Sequence, residues 1–383
     1  MDKKNVFRFL SHVALFCSVL ALLASSYIVG LSYWRDPLHL FRAPKAELYP
    51  EENMRVQAAG IINSFHFDSI ILGTSMLENS SSADMEKSLG RGKFVNLSLS
   101  GSNFMERSLV LRYALRKKNI KNVFYSLDNK YILCNKEYGY PPQHWTFLYD
   151  NNRLNDFKLY TSPKYFRALR SGTPVGKKGT LDRPNEWMSN SYHSCRFGGL
   201  QNWVSNLDKQ GIENFLKKIL PDAASRAKDG PLVQNIERND EAANYVEEYV
   251  LSFAEKNPDV EFYLVFPPYW RYYFASMRQT DPEAFAVHQH VVRYTVERAF
   301  ALGNVYVFGY EDCSFVDDIA NYKDVTHYAE HINKYMTETA GKKKHLLTPD
   351  NVEAYLMRCD ELARNFDIKG LNEQVKKMLA EKN

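Results

Sequence analysis

Apolar and polar positions form blocks along the chain that predict an α/β architecture behind an apolar N-terminal helix. Short apolar runs end in Gly, Ser, Asn or Asp, and longer stretches with helical periodicity separate them. The predicted strands are 67–72, 94–99, 122–127, 260–266 and 304–308. The main predicted helices are 51–62, 105–117, 240–255, 282–302 and 329–339. This alternation predicts a flavodoxin-like three-layer sandwich with a mostly parallel five-stranded sheet.

The N-terminus has the pattern of a membrane anchor. Residues 9–34 contain no Asp, Glu, Lys or Arg, and Lys3, Lys4 and Arg8 precede them. Because about 20 apolar residues cross the hydrocarbon core, this run is long enough to span it. The positive flank predicts a single-pass protein of the inner (cytoplasmic) membrane, with its C-terminal domain in the periplasm. A cleaved signal peptide, with small residues at 21–26, is the alternative.

The same patterns suggest a domain organisation. An anchor at 1–34 precedes a stalk with a short helix at 35–65 and an α/β domain at 66–345. Residues 130–238 lack a clear period and are interpreted as an insertion, forming a lid or a substrate platform. A charged helical tail occupies 346–383.

Charge and cysteine content exclude some functions. The net charge is only +4 and the two signs are mixed along the chain, which does not indicate nucleic-acid binding. No Cys-x-x-Cys pair occurs and the cysteine spacings resemble no zinc site, so we expect no metal site. We also expect no cofactor. Export would permit one or two disulfides. The cysteines beyond the apolar run are Cys134, Cys195, Cys313 and Cys359.

The candidate chemistry is nucleophilic. Ser75 follows the first predicted strand, and Asp324 and His327 follow the fifth. Ligands bind at the carboxyl ends of parallel strands, so these segments are expected to meet at one sheet edge. His327 would take the proton of the Ser75 hydroxyl, and Asp324 would orient and stabilise the imidazole. Structural alternatives remain: Ser75 as a helix N-cap, and Asp324 with His327 as a capping arrangement before the next helix.

Further residues complete the expected site. The backbone N–H groups of Ser75 and Gly101 are candidate oxyanion donors, because glycine permits close backbone approach. Asp128, after the third predicted strand, and His144 and Trp145, in the insertion, are candidate substrate contacts.

These motifs resemble blocks of the SGNH (GDSL-like) hydrolases. The resemblance rests on Gly73-Thr74-Ser75, on Gly101 after Asn96-Leu97-Ser98-Leu99-Ser100, and on Asp324-Val325-Thr326-His327. It covers roughly 66–130 and 240–340 and implies a Ser nucleophile, a Gly oxyanion donor and an Asp/His pair. Thr74 replaces the usual Asp of the first block, and Ser126-Leu127-Asp128-Asn129 replaces the usual third block. The resemblance makes Asn129 the candidate amide donor of the oxyanion hole.

With an N-terminal anchor, the pattern is similar to a branch that includes exported proteins of alginate O-acetylation and teichoic-acid D-alanylation. That branch works beside a multi-pass MBOAT acyltransferase. The resemblance therefore implies an acyltransferase or esterase acting on a cell-envelope glycan, with no cofactor. Two other functions stay open: a non-catalytic glycan-binding or assembly subunit, and a membrane-tethered scaffold.

Overall fold

The computed structural model of the protein describes residues 2–44, 48–133, 141–206 and 230–382. The chain divides into two compact units. One unit comprises Met1–Phe65 with Tyr140–Thr180, and the other comprises His66–Gly139 with Leu181–Asn383. The second unit contains the sheet and is called the sheet unit below.

The sheet has six strands among the described residues, in the order β2-β1-β3-β4-β5-β6. Their bounds are β1 Ser69–Leu72, β2 Phe94–Asn96, β3 Asn122–Ser126, β4 Glu261–Phe266, β5 Val305–Gly309 and β6 Leu346–Leu347. The first five strands pair in parallel, with Ile71 opposite Asn96 on one side and opposite Phe124 on the other. Strands β1, β2 and β3 are buried along their whole length, which explains their continuous apolar character.

The prediction of a mostly parallel α/β sheet is confirmed, but the expected number of five strands is wrong. The sixth strand, β6, is antiparallel to β5, with Leu346 opposite Phe308 and Leu347 opposite Val307. A strand of two residues is too short to produce an alternating pattern, so periodicity does not detect it. The chain enters β6 through Lys343 and His345, whose φ angles of +52° and +59° are left-handed.

Helices connect the strands. The α-helices of the first unit are α1 Lys3–Arg35, α2 Met54–Ser64 and α7 Pro163–Ser171. Among the described residues, the helices of the sheet unit before β4 are α3 Ser75–Glu78, α4 Ser82–Leu89, α5 Phe104–Lys117, α6 Asn129–Ile132, α8 Glu186–Ser189, α9 Ser191–Ser194, α10 Leu200–Ser205, α11 Ile236–Val246 and α12 Ser252–Lys256. Those after β4 are α13 Arg271–Thr280, α14 Pro282–Leu302, α15 Glu330–Gly341, α16 Val352–Asn365 and α17 Ile368–Lys382.

The helices expected from periodicity are present, with shifted ends. Helix α14 matches its predicted bounds because Asp281 caps it, accepting from Ala284 N at 3.0 Å, and Pro282 follows at the first helical position. The predicted helix at 240–255 is interrupted by a π-helical turn at Glu247–Leu251. Periodicity does not detect such a turn, because apolar residues continue through it.

Helix α1 has 33 residues and is long and apolar enough to cross a membrane. This assignment is based on the length and composition of the helix, and a signal sequence near an N-terminus has both properties too. The finding agrees with the predicted anchor and leaves the cleaved signal peptide as the alternative.

The expected insertion at 130–238 does not form a single body. Residues 141–180 belong to the same unit as the N-terminal residues, whereas residues 181–206 belong to the sheet unit. The parts of the insertion at 134–140 and 207–229 lie outside the described residues. The former part includes Cys134, and no disulfide joins cysteines in the described part of the chain.

Candidate active site

Ser75 lies in the first turn after β1. Thr74 is the N-cap of α3, and its Oγ1 accepts from Met76 N at 3.2 Å, so Ser75 is the first helical residue and not the cap. Gly73 precedes it in tight surroundings: a Cβ there would lie 2.6 Å from Ser126 Oγ and 2.8 Å from Leu77 Cγ. The Ser75 hydroxyl is therefore free of a capping role and sits at the carboxyl edge of the sheet.

Asp324 and His327 occupy a tight loop after β5. An antiparallel bridge between Tyr322 and Tyr328 closes this loop, and Lys323 N donates to His327 O at 3.0 Å. The buried Tyr322 hydroxyl donates to Pro268 O at 2.7 Å and fixes the loop from below. Helix α15 begins only at Glu330 with Ala329 as its N-cap, so the alternative of a helix-capping arrangement does not hold.

The two segments meet as a hydrogen-bonded chain of three side chains. Ser75 Oγ lies 2.8 Å from His327 Nε2. His327 Nδ1 lies 2.8 Å from both carboxylate oxygens of Asp324. With Nδ1 donating to Asp324, Nε2 is left as the acceptor for the Ser75 hydroxyl. This is the geometry that a serine nucleophile with its base and orienting carboxylate requires.

Asp324 is held in its ionised form. Burial raises the pKa of its carboxyl, but the charge and hydrogen bond of His327 and the charge of Lys323 outweigh burial and keep that pKa well below the ordinary range. Its Oδ1 also accepts from the backbone N–H groups of Thr326 at 3.1 Å and His327 at 2.9 Å. A fixed carboxylate of this kind orients the imidazole and stabilises the cation formed on proton uptake.

Asp128, one candidate substrate contact, is instead a buried structural group. Its carboxylate accepts from Thr74 Oγ1 at 2.7 Å and from Ser126 Oγ at 2.6 Å, and it lies 3.1 Å from Arg107 Nη1. Both partners of the Arg107–Asp128 ion pair are fully buried. Asp128 therefore supports the turn of Ser75 through Thr74, which explains why a threonine suits the position before the serine.

The candidate oxyanion donors differ in their surroundings. Ser75 N–H belongs to the first turn of a helix, where N–H groups lack intrahelical acceptors. Gly101 has φ +63° in an exposed turn at the same sheet edge. The chain leading to it runs beside the chain leading to Ser75, since Leu99 N donates to Gly73 O at 2.8 Å.

Asn129 is placed differently from its expected role. Its Nδ2 contacts Tyr273 Oη at 3.5 Å and Met277 Sδ at 3.7 Å, both on α13. The amide group is thus directed at α13, and its Oδ1 is buried without a hydrogen-bond partner among the described residues. Asn129 begins α6, shortly after β3 ends at the carboxyl edge of the sheet, but its side chain contacts α13.

The two remaining candidates lie in the first unit. Trp145 is fully buried and packs edge-on against Tyr149, with ring centroids 5.7 Å apart. His144 is exposed in a short 3₁₀ helix at Pro142–His144. Burial of Trp145 indicates a packing role within that unit.

Sequence reasoning missed three side chains that flank the triad. Trp187 meets the His327 ring edge-on with centroids 5.0 Å apart. Lys323 Nζ lies 4.2 Å from the centre of the Trp187 ring and 2.9 Å from His193 Nδ1. Because Lys323 directly precedes Asp324 in the sequence, its position near the triad could have been predicted. Trp187 and His193 come from irregular sequence, where no pattern points to them.

A possible ligand set for a metal ion lies elsewhere in the sheet unit. Asp312, Cys313 and His345 bring one ligand atom each within 4.8 Å of one another. His345 Nε2 contacts Tyr335 Oη at 2.7 Å, and Cys313 Sγ lies 3.9 Å from His345 Nδ1. None of these residues belongs to the Ser75 site.

Comparison with protein-family models gives no match, and no curated protein is similar enough to count as a relative.

Proposed function

We propose that the protein is a membrane-anchored, SGNH-type serine acyltransferase or esterase acting on a cell-envelope polysaccharide. The observation that carries this proposal is the Ser75–His327–Asp324 chain, with both of its hydrogen bonds at 2.8 Å. Ser75 is about 250 positions distant in sequence from the Asp324–His327 pair, yet the three side chains meet in hydrogen-bonding order at the carboxyl edge of a parallel sheet. A purely structural role gives no reason for that order.

The reaction follows from the roles of the three residues. His327 Nε2 takes the Ser75 proton as Ser75 Oγ attacks the acyl carbon of an ester. The ester C–O bond breaks, His327 returns the proton to the leaving alcohol, and an acyl-Ser75 remains. Water or a sugar hydroxyl then gives its proton to His327 and attacks the acyl carbon, and Ser75 recovers its proton as it leaves. Water makes the protein an esterase, and a sugar hydroxyl makes it a transferase.

Strand order supports the SGNH-type, flavodoxin-like part of the proposal. The parallel strands run β2-β1-β3-β4-β5, which is the order of flavodoxin-like doubly wound sheets. Ser75 follows β1, Gly101 follows β2, and the Asp324–His327 loop follows β5. These are the positions that the resemblance to SGNH hydrolases implies.

The envelope setting rests on α1 and on the resemblance. An anchor with positive residues on its N-terminal side leaves the sheet unit outside the cytoplasm. A glycan of the cell envelope is then an accessible acyl acceptor or donor. An MBOAT-type membrane acyltransferase is the partner that would deliver acyl groups to such a protein.

Covalent labelling tests the proposal. We expect an uncharged fluorophosphonate to modify the full-length protein in detergent, with peptide mapping to Ser75. His327→Ala should abolish rapid labelling, since His327 activates the hydroxyl. His331→Ala removes an exposed histidine of α15 and serves as the matched control. Equal labelling of the wild type and His327→Ala would contradict the proposal.

The direction of the Asn129 amide favours a second candidate, a non-catalytic glycan-binding or assembly subunit. Without this donor, the oxyanion hole relies on backbone N–H groups. Envelope glycan binding by a protein whose Ser75 resists labelling would support the second candidate.

A further inference from the structure

The cluster beside the triad comprises Trp187, His193, Arg196 and Lys323, and its two cations form no salt bridge with any described residue. Lys323 is 5% exposed, and in the described part of the chain it forms no salt bridge. Arg196, half-buried and also without a salt bridge among described residues, has its Nε buried with no hydrogen-bond partner there. Buried cations are normally paired, because removing a charge from water is costly. Lys323 and Arg196 therefore lack an anion that would neutralise their charges.

The nearby carboxylates do not supply the missing anion. Burial lowers the pKa of Lys323 to about 8, while the charges of Asp324 and Glu78 act in the opposite direction. The Asp324 carboxylate is already engaged by His327 and Thr326. At neutral pH most Lys323 side chains therefore carry a positive charge. The positive charge of Arg196 also acts on Lys323 and lowers its pKa further.

The contact with Lys323 determines which ring nitrogen of His193 carries the proton. An ammonium group can only donate, so the 2.9 Å contact from Lys323 Nζ requires His193 Nδ1 to accept. The neutral imidazole then carries its proton on Nε2. Burial and the charges of Lys323, His327 and Arg196 lower the pKa of His193, which favours this neutral form. His193 is half-buried, so a donor with a cation behind it is available to a ligand.

The position of the cluster indicates which part of a substrate it meets. Trp187 touches His327 edge-on and lies under the Lys323 ammonium. In serine acyl transfer the base passes its proton to the leaving alcohol, or takes one from the incoming alcohol. The alcohol part of the substrate must therefore lie beside His327. Groups that flank His327 are placed to recognise that part.

We propose that His193, Arg196 and Lys323 form a subsite for an anionic group carried by the alcohol part of the substrate, on the wall that Trp187 shares with His327. The group would be a carboxylate, as in a uronic acid, or a phosphate. This inference rests on the proposed function, and it specifies the class of glycan that the site accepts.

Matched sugar esters test the subsite on the full-length protein. One pair is an O-acetylated methyl glucuronide and its uncharged glucuronamide. A second pair is an O-acetylated methyl glucoside with and without a phosphate on its primary hydroxyl. We expect wild-type kcat/KM to be about ten- to a hundredfold higher for one anionic ester than for its neutral counterpart, as charge-assisted hydrogen bonds imply. The pair that shows the preference identifies carboxylate or phosphate.

Variants assign the preference to the cluster. Lys323→Met removes the buried charge of the cluster. Arg196→Gln removes the charge of a half-buried residue and provides the same test if Lys323→Met folds poorly. Each should bring the ratio of anionic to neutral kcat/KM close to one while turnover of the neutral ester persists. Lys334→Met, at an exposed position of α15, is the control and should keep the wild-type ratio.

Two outcomes would overturn the subsite. A wild-type ratio near one for both pairs would do so, as would variants that slow the anionic and neutral esters equally, since that indicates a structural or oxyanion role. If Ser75 labels but no ester is cleaved, protection of Ser75 from labelling by the free anionic sugars, and not by the neutral ones, decides the question. Failure of Ser75 to label at all would count against the proposed function instead.

Discussion

Asn333 Nδ2 lies 2.7 Å from the main-chain oxygen of Met76, joining the helix that follows the His327 loop to the turn that carries Ser75. The same amide donates to Ser80 Oγ at 3.0 Å. Asn333 is fully buried. The two halves of the candidate site, which are distant in sequence, are therefore fixed to one another by a side chain that touches neither reacting group.

Asn333→Leu should slow the labelling of Ser75 as well as destabilise the protein. The substitution leaves the Met76 carbonyl buried without its donor, at a cost of about 1–3 kcal/mol. Asn122→Leu is the matched control: it removes a buried amide that donates to Ser69 Oγ at the opposite end of the strands. Urea unfolding and the labelling rate should be measured on both variants. If both lose stability equally and both label at the wild-type rate, Asn333 has no positioning role.

Ser75→Ala should abolish acyl transfer or hydrolysis while leaving the fold intact. Thr74, not Ser75, caps α3, so loss of the Ser75 hydroxyl should change the free energy of unfolding by less than about 1 kcal/mol. As a nucleophile, its loss should lower kcat by several orders of magnitude. Acyl content of the envelope polysaccharide in cells carrying Ser75→Ala measures the effect. Wild-type acyl content would rule out the covalent mechanism.

His327→Ala should impair turnover more than Asp324→Asn does. His327 moves the proton itself, whereas Asp324 only orients and stabilises the imidazole. Neither loss should add to that of Ser75→Ala, because the three side chains act as one unit. Steady-state kcat for the single and double variants gives the comparison. Additive losses would show that the three residues contribute independently.

The candidate triad illustrates what the sequence could predict. Ser75 follows a short buried strand with a Gly at its end, and Asp324 and His327 fall in one polar cluster after another strand. Strand ends of a parallel sheet meet at one edge, so proximity followed from local patterns. Asn129 illustrates what the sequence could not predict. Its position shortly after β3 followed from the local pattern, but the direction of its amide depends on packing against α13. Likewise, Trp187 and His193 reach the site from irregular sequence by tertiary packing alone.

Lys323 should make stability depend on alkaline pH. Burial lowers its pKa to about 8 in the folded protein, from 10.5 ordinarily. Between these values the unfolded chain binds a proton that the folded protein does not, so stability should rise with pH in that window. The penalty, about 3 kcal/mol, is present in full below the folded pKa and is relieved above it.

Urea unfolding at about pH 7 and about pH 10 checks this expectation. The wild type should gain stability relative to Lys323→Met as pH rises, whereas Lys334→Met, which lacks only an exposed charge, should follow the wild type. A constant difference between the wild type and Lys323→Met at both pH values would mean that Lys323 titrates normally.

The sheet unit should lie outside the cytoplasm. Helix α1 begins at Lys3 and carries Lys4 and Arg8 in its first turns, and such positive flanks remain on the cytoplasmic side. Alkaline phosphatase fused to the C-terminus should therefore be active, and a green fluorescent protein at the same position should be dark. Replacing Lys3, Lys4 and Arg8 with Gln should weaken this orientation, while the same change at Lys376 and Lys377 of α17 should not. A fluorescent fusion of the unaltered chain would contradict the topology and, with it, access to an envelope glycan.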